Sequence, residues 1–204
     1  MTGGKPQVTG AGLWSETGAV ELARSLDDWL SVGEDGTVTV YSGKVELGTG
    51  VRTALAQIVA EELDVPFESV HLVMGDTGRT PNEGYTAGSK TIQFGGNALR
   101  LAAAQARQIL VELAAKRFGV SPDQVAVDGG LLWPKSRPEQ RTTIAELSGG
   151  RRFERNIELT TLVKRPEEYR IVGSPLRRVE IPGKLFGTGS FIQDMKLPGM
   201  LHGR

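Results

Sequence analysis

The sequence predicts an α+β fold: a small mixed sheet packed by two main helices and followed by an extended, proline-rich segment. Three observations predict it. Thr37-Val38-Thr39-Val40-Tyr41 and the trio Val70, Leu72 and Met74 alternate with the two-residue period of strands. Val51, Leu55, Ile58, Val59 and Leu63 recur near helical spacing, as do Ile92, Leu99, Ala102, Ala103, Ala106, Ile109, Leu110, Leu113 and Phe118. From Gly149 onward, Pro166, Pro175, Pro182 and Pro198 cut the chain into short extended pieces with no long helix.

Taken in order, residues 1–30 read as an N-terminal arm, Gly- and Thr-rich and weakly patterned through residue 25. Asp27 to Leu30 leads into the Glu34-Asp35-Gly36 turn and then the alternating strand, which suggests a hairpin. The first helix runs from Val51 to Leu63 and stops at Asp64-Val65-Pro66, because proline cannot continue it. A strand from Ser69 to Met74 ends at Gly75-Asp76-Thr77-Gly78, residues suited to a tight turn. The second helix begins within Thr86 to Lys90 and ends at Gly119. Gly95-Gly96 early in it costs about 1 kcal/mol per Gly relative to Ala, which points either to close approach of a backbone or ligand or to a kink or helix crowding. Ser121-Pro122-Asp123-Gln124 caps a short turn, and Val125-Ala126-Val127 and Leu131-Leu132-Trp133 flank Asp128-Gly129-Gly130 as a second hairpin. Thr143 to Leu147 fits one helical turn, and the apolar run Phe191 to His202 reads as strand-like. A soluble chain rarely stops inside such a run, so truncation is expected.

Composition narrows the function. With 204 residues and 39% apolar content, the chain can build one substantial core. Its net charge of zero hides an asymmetry: residues 151–204 hold eleven Lys/Arg against six Asp/Glu, leaving the first 150 residues acidic. There is no cysteine, hence no thiolate metal site and no ligand for a cysteine-held iron–sulfur cluster. Two histidines, His71 and His202, make a histidine-rich metal site improbable, and no metal ligand is assigned. No apolar run reaches signal-peptide or membrane-spanning length, so the expected location is the cytoplasm, without membrane insertion; export beside a signal-bearing partner stays open. No Gly-x-x-x-x-Gly-Lys-Ser/Thr loop is present, and the basic tail lacks interleaved aromatic platforms, which argues against nucleotide and nucleic-acid binding.

The strongest functional signal is a pair of glycine-rich turns. Gly43-Lys44-Val45-Glu46-Leu47-Gly48-Thr49-Gly50 and Gly84-Tyr85-Thr86-Ala87-Gly88-Ser89 each run into a helical pattern. Glycine permits close backbone approach, and the first turn of a helix carries unpaired N–H donors at a positive dipole end, so each junction could cradle an anion. With one strand between them, both could open at the same end of one sheet. On the residues alone, ordinary strand-to-helix connections in a cofactor-free α+β binding or assembly module are the alternative.

These motifs carry a resemblance. Gly43 to Ala54, Ala56 to Leu63, Gly75-Asp76-Thr77, Thr80-Pro81-Asn82-Glu83-Gly84 and Thr86-Ala87-Gly88-Ser89 resemble the molybdopterin-binding large subunit of the xanthine dehydrogenase and aldehyde oxidase family, of the isoquinoline 1-oxidoreductase beta-subunit type. Tyr169 to Gly173, Arg178 to Lys184 and Leu197 to Arg204 resemble the family's lead into its hammerhead domain. The resemblance implies that residues 31–150 are part of a molybdopterin-binding domain and that 151–204 are an extended linker into a hammerhead-type domain that is cut off. It implies an N-terminal portion of a molybdenum hydroxylase, inactive alone, that hydroxylates an aldehyde or N-heterocycle with water as the oxygen source. The implied cofactor is molybdopterin, with the cytosine dinucleotide form open, and no iron–sulfur cluster sits on this chain. The implied partners are the remainder of the large subunit, an iron–sulfur small subunit and a small-molecule substrate.

By the same resemblance, Gly48, Thr49 and Gly50 flank the cofactor at the first junction, and Thr86, Ala87, Gly88 and Ser89 bind it at the second, with Lys90 either adding charge or solvated. Family members often carry Gln between the glycines of the first turn; this chain has the shorter Thr49. The family's catalytic glutamate lies near the far end of a much longer subunit, so no catalytic residue is assigned. Glu46, Glu61, Glu62 and Glu83 are the tempting acids, but Glu61 and Glu62 are expected to be solvated helix residues.

Overall fold

Strand β1 (Leu30–Val32) turns back at Gly33 to Gly36 to pair antiparallel with β2 (Val38–Ser42), Leu30 opposite Val40. The structure, a computed structural model, describes residues 25–188, 191–201 and 203. The expected arm through residue 24 and His202 lie outside the described residues. Leu26, Trp29 and Leu30, at the end of the expected arm, are fully buried in the core.

Helix α1 (Val51–Leu63) crosses over the sheet, and β3 (Val70–Met74) then lies parallel to β2, Val38 beside Val70 and Ser42 beside Met74. The sheet is therefore mixed, in the order β1-β2-β3. Because β2 and β3 run parallel, the two glycine turns that follow them leave the same, carboxyl end of the sheet. That is where open α/β sheets place ligands.

The second helix opens with a turn of π-helix, Thr91–Gly96, and continues as α2 (Asn97–Phe118). Its start, with Lys90 as the N-cap, falls at the end of the expected window. Gly95 and Gly96 sit within the π turn, and what comes close is side chain, not a backbone: Gly95 gives room to the Glu83 and Lys44 side chains, while Gly96 packs against Ile58 and Leu55 of α1, as the helix-crowding reading has it. The buried face of α2 is rich in alanine, including Ala98, Ala102, Ala103 and Ala106, so α1 and α2 can approach closely over the sheet. Gly119 ends α2 in the left-handed conformation, with Lys116 and Arg117 on the negative end of the dipole.

A second small sheet follows: β4 (Val125–Asp128) and β5 (Leu131–Pro134) form the expected hairpin. Gly129 and Gly130 both have positive φ, as its two-residue turn requires. β6 (Thr142–Thr143) pairs with β5 and leads into α3 (Ile144–Ser148), whose first turn is capped by the Thr143 hydroxyl accepting from Glu146 N–H. From Gly149 the chain runs over α1 and α2 in irregular pieces that include, among the described residues, a 3₁₀ turn at Pro166–Glu168 and a short helix, α4 (Ile181–Leu185). The strand-like reading of Phe191 to His202 is corrected: its described part is a 3₁₀ turn, Ile192–Asp194, between irregular residues. No described strand pairs with it, and apolar alternation without a hydrogen-bonding neighbour does not make a strand.

Candidate functional site

The two glycine turns touch. The Thr86 hydroxyl of the second accepts a hydrogen bond from Val45 N–H of the first, at 3.0 Å. A Cβ on Gly43 would stand 2.1 Å from the Pro81 carbonyl oxygen and one on Gly75 would stand 2.5 Å from the Val45 side chain. These two glycines admit neighbouring chain, not a ligand.

Beneath the contact, a buried lysine and a half-buried glutamate, Lys44 and Glu83, tie the turns together through backbone groups. The Lys44 ammonium donates to the backbone carbonyls of Glu83, at 2.5 Å, and of Tyr85, at 2.8 Å, so it ties the first turn to the entrance of the second. Glu83 reaches back: one carboxylate oxygen accepts from the Ser42 hydroxyl at 2.7 Å and from Gly43 N–H at 2.6 Å, while the other is buried without a partner against Gly95. Burial pushes the Glu83 carboxyl above the ordinary carboxylate range against the pull of these donors and of Lys44, and burial likewise lowers Lys44.

The first turn differs from the expected open cradle. Glu46 folds its carboxylate into it, accepting from Gly48 N–H at 2.7 Å, Gly50 N–H at 2.9 Å and Arg52 N–H at 3.0 Å. Gly50 is the N-cap of α1 and has no side chain to cap with, so Glu46 does the capping from four residues upstream. Burial disfavours the charged carboxylate, but the backbone donors outweigh it and hold Glu46 below its ordinary value. Gly48 and Thr49 remain exposed, with nothing within 4 Å of a Cβ built on Gly48, and Gly50 lies against the Arg178 side chain.

The second turn is open. Ala87, Gly88 and Ser89 are exposed, and their N–H groups donate to no described protein group. Gly88 at φ 63° and Ser89 at φ 57° are consecutive left-handed residues just before the helix, a concave backbone shape that suits an anion. Lys90 is exposed, its ammonium 5.6 Å from the Phe94 ring centre. Around both turns Val45, Leu47, Tyr85 and Ile92 are exposed apolar side chains. The chemistry of the set therefore fits an anionic cofactor with a flat apolar part: free N–H donors and hydroxyls on the second turn, apolar walls beside them.

The expectation that Glu61 and Glu62 are solvated is overturned. Both are buried, because the segment after α3 covers the end of α1. One oxygen of Glu61 accepts from three successive N–H groups, Arg170 at 2.8 Å, Ile171 at 2.6 Å and Val172 at 3.0 Å, and the other from the Lys164 ammonium at 3.0 Å. Glu62 takes Arg100 at 2.8 Å and Lys164 N–H at 3.0 Å. Asp64, left-handed at φ 55°, gathers Lys164, Arg170 and Arg107 within 2.8 Å. These acids clamp the 161–172 strap; the helical pattern that made them look solvated cannot register a strap arriving from a hundred residues away. A cleft of about 850 Å³ lies beside this strap and away from the glycine turns. Of its lining charges, Glu62 is paired with Arg100, Arg107 and Lys164 with Asp64, and Glu168 with Arg165, so the glycine turns remain the candidate site.

Sequence reasoning missed Lys44 and Arg178, and the clasping role of Glu83. Only Glu46 left a readable signal, an acid just upstream of an uncapped helix start.

Residues 7–174 match the molybdopterin cofactor-binding domain. The chain belongs to that family. A nicotinate dehydrogenase subunit of Pseudomonas putida is 44% identical over 181 residues, 89% of this chain and 15% of that protein. An isoquinoline 1-oxidoreductase beta chain of Brevundimonas diminuta is 30% identical over 233 residues, 94% of this chain and 29% of that protein. Among solved structures, CO dehydrogenase from Oligotropha carboxidovorans superposes with a TM-score of 0.54 at 26% identity, over 67% of this chain and 18% of that one. The chain thus spans under a third of the length of these family members. The match agrees with the resemblance carried by the glycine turns, to molybdopterin-binding subunits of the xanthine dehydrogenase and aldehyde oxidase type.

Proposed function

We propose that this chain supplies part of the molybdopterin cradle of a molybdenum hydroxylase large subunit, which hydroxylates an aldehyde or N-heterocycle with water as the oxygen source. The observation that carries the reading is the open second turn: free N–H groups of Ala87, Gly88 and Ser89 beside apolar walls, at the carboxyl end of parallel strands in a chain of the molybdopterin cofactor-binding family. Bound there, the cofactor supplies the metal that exchanges oxygen and electrons with the substrate. The chain's own part is to hold it: Ala87, Gly88 and Ser89 N–H groups and the Ser89 hydroxyl meet its anionic groups, Thr86 fixes the turn to the first junction, and Gly48, Thr49 and Gly50 flank it.

In this reading residues 31–150 are the cofactor-binding portion and 151–204 lead toward a hammerhead-type domain. The remainder of the large subunit supplies the catalytic base and the substrate funnel. An iron–sulfur partner takes the electrons, because this chain has no cysteine to hold a cluster. The cofactor form, molybdopterin or its cytosine dinucleotide, and a cytoplasmic location belong to the same proposal; no helix among the described residues is long and apolar enough to cross a membrane.

The test is cofactor content. The whole large subunit, purified with its partners from its own host, is expected to carry molybdenum by elemental analysis and pterin by fluorescence, and Gly88→Val is expected to lower both several-fold without unfolding the protein. A folded wild-type protein with neither molybdenum nor pterin overturns the proposal.

A further inference from the structure

Four observations bear on how the two junctions divide their work. The first turn has its anion-binding N–H groups filled by Glu46, whose side chain is only 8% exposed. Its carboxylate uses both oxygens, one on Gly48 and Gly50 and the other on Arg52. Gly48 and Gly50 both have positive φ, at 91° and 80°, and the N–H groups of both point at that one carboxylate. A second layer comes from far along the chain: the Arg178 guanidinium lies 3.9 Å from Glu46, is held by Glu180, and covers Gly50, while Val179 N–H donates to the Thr53 hydroxyl at 3.0 Å.

We infer that Glu46 is a built-in anion that closes the first junction to phosphate, making it a positioning residue that shapes the Gly48-Thr49-Gly50 wall while the cofactor's anionic groups are met at the open Gly88-Ser89 turn. This deepens the proposed function and rests on it for the cofactor's identity. An external phosphate at the first turn would have to displace a buried carboxylate from three N–H donors and one guanidinium, whereas at the second turn it displaces only water. The turn therefore offers the cofactor Thr49 and Leu47 at its surface, not its amides, so the loss of a longer side chain at position 49 matters through shape and not through anion capture.

The charged groups that face Glu46 are Arg178 from the proline-rich segment and, behind it, Glu180. Arg52 contributes its N–H, while its guanidinium is turned away to the Leu72 carbonyl at 2.7 Å.

The test uses the full 204-residue chain and inorganic phosphate as the probe, followed by amide NMR. In the wild type, the Gly48, Gly50 and Arg52 amides are expected to stay unmoved as phosphate is added. In Glu46→Ala they are expected to shift saturably, and phosphate is expected to restore thermal stability that the variant has lost, a rescue the wild type does not show. Saturable shifts at these amides in the wild type, or a folded variant indifferent to phosphate, overturn the inference. If the variant does not fold, the wild type alone decides. Its Gly48 and Gly50 amides must follow one ionisation below the ordinary glutamate value; an ordinary midpoint, or no response to pH, overturns it. None of these readings uses the cofactor, so a chain that passes them while the whole large subunit lacks molybdenum separates the failure of the functional proposal from the failure of this one.

Discussion

Gly95 is a glycine because Glu83 stands where its side chain would be: a Cβ there would lie 2.3 Å from the unpartnered Glu83 carboxylate oxygen. The carboxylate that joins β2 to the second glycine turn thereby also packs against the π turn that opens the second helix.

Gly95→Ala should destabilise the fold by about 1–3 kcal/mol, the usual cost of overpacking, although alanine is the better helix former by about 1 kcal/mol. In a double mutant with Glu83→Ala, the two effects should be markedly non-additive, because the second change removes the clash. Urea unfolding of the four proteins measures both; strict additivity would show that the contact is not what constrains Gly95.

Glu61→Ala should cost about 1–3 kcal/mol for each buried N–H left without an acceptor, because Arg170 to Val172 lose the carboxylate oxygen they share, while Lys164 keeps Asp64. The loss should be local first. Hydrogen exchange is expected to speed up across the 161–172 strap and trypsin to cut at Lys164 or Arg170 while α2 stays protected. Uniform loss of protection across the chain would contradict the clamp.

Opposite pH dependences should come from two acids. Glu61 is opposed by burial, yet its donors, Ile171 N–H and Lys164 foremost, hold it below its ordinary value. Its stabilisation is thus present above the unfolded value of about 4.3 and is lost as pH falls through the lower folded value. Glu83 is raised by burial. Between about 4.3 and its higher folded value the folded chain binds more protons, so its contribution falls as pH rises. Wild type should therefore lose stability relative to Glu83→Gln as pH climbs from about 4, and gain none. A difference between the two that is flat with pH would rule this out.

Ser89→Gly should stabilise the cofactor-free chain by about 1 kcal/mol, since a left-handed conformation costs an L-residue about 1–2 kcal/mol and glycine nothing. A retained serine at that cost is what a site selected for its hydroxyl would show. Thermal unfolding of the isolated chain gives the stability, and pterin content of the whole large subunit should move the other way.

Much of this protein can be read from neighbouring residues alone. The α+β class, α1 to its last residue, the two hairpins and the position of both glycine turns follow from period and punctuation, because a helix face, a proline stop or a Gly-Gly turn is written within a few positions. What those elements do to each other is not written there. Glu61 meets Ile171 across 110 residues, Glu83 meets Ser42 across 41, and Arg178 reaches Glu46 from a segment that reads as a linker. Whether a carboxylate is solvated, clamps a strap or fills an anion cradle depends on which chain covers it, and a glycine that looks like a ligand cradle can equally be space for a neighbour's backbone. The family, the elements and the existence of two helix-leading turns are thus legible along the chain. That the first turn is closed by Glu46 and the second is open emerges only on folding, because the difference lies in through-space hydrogen bonds and not in any local pattern.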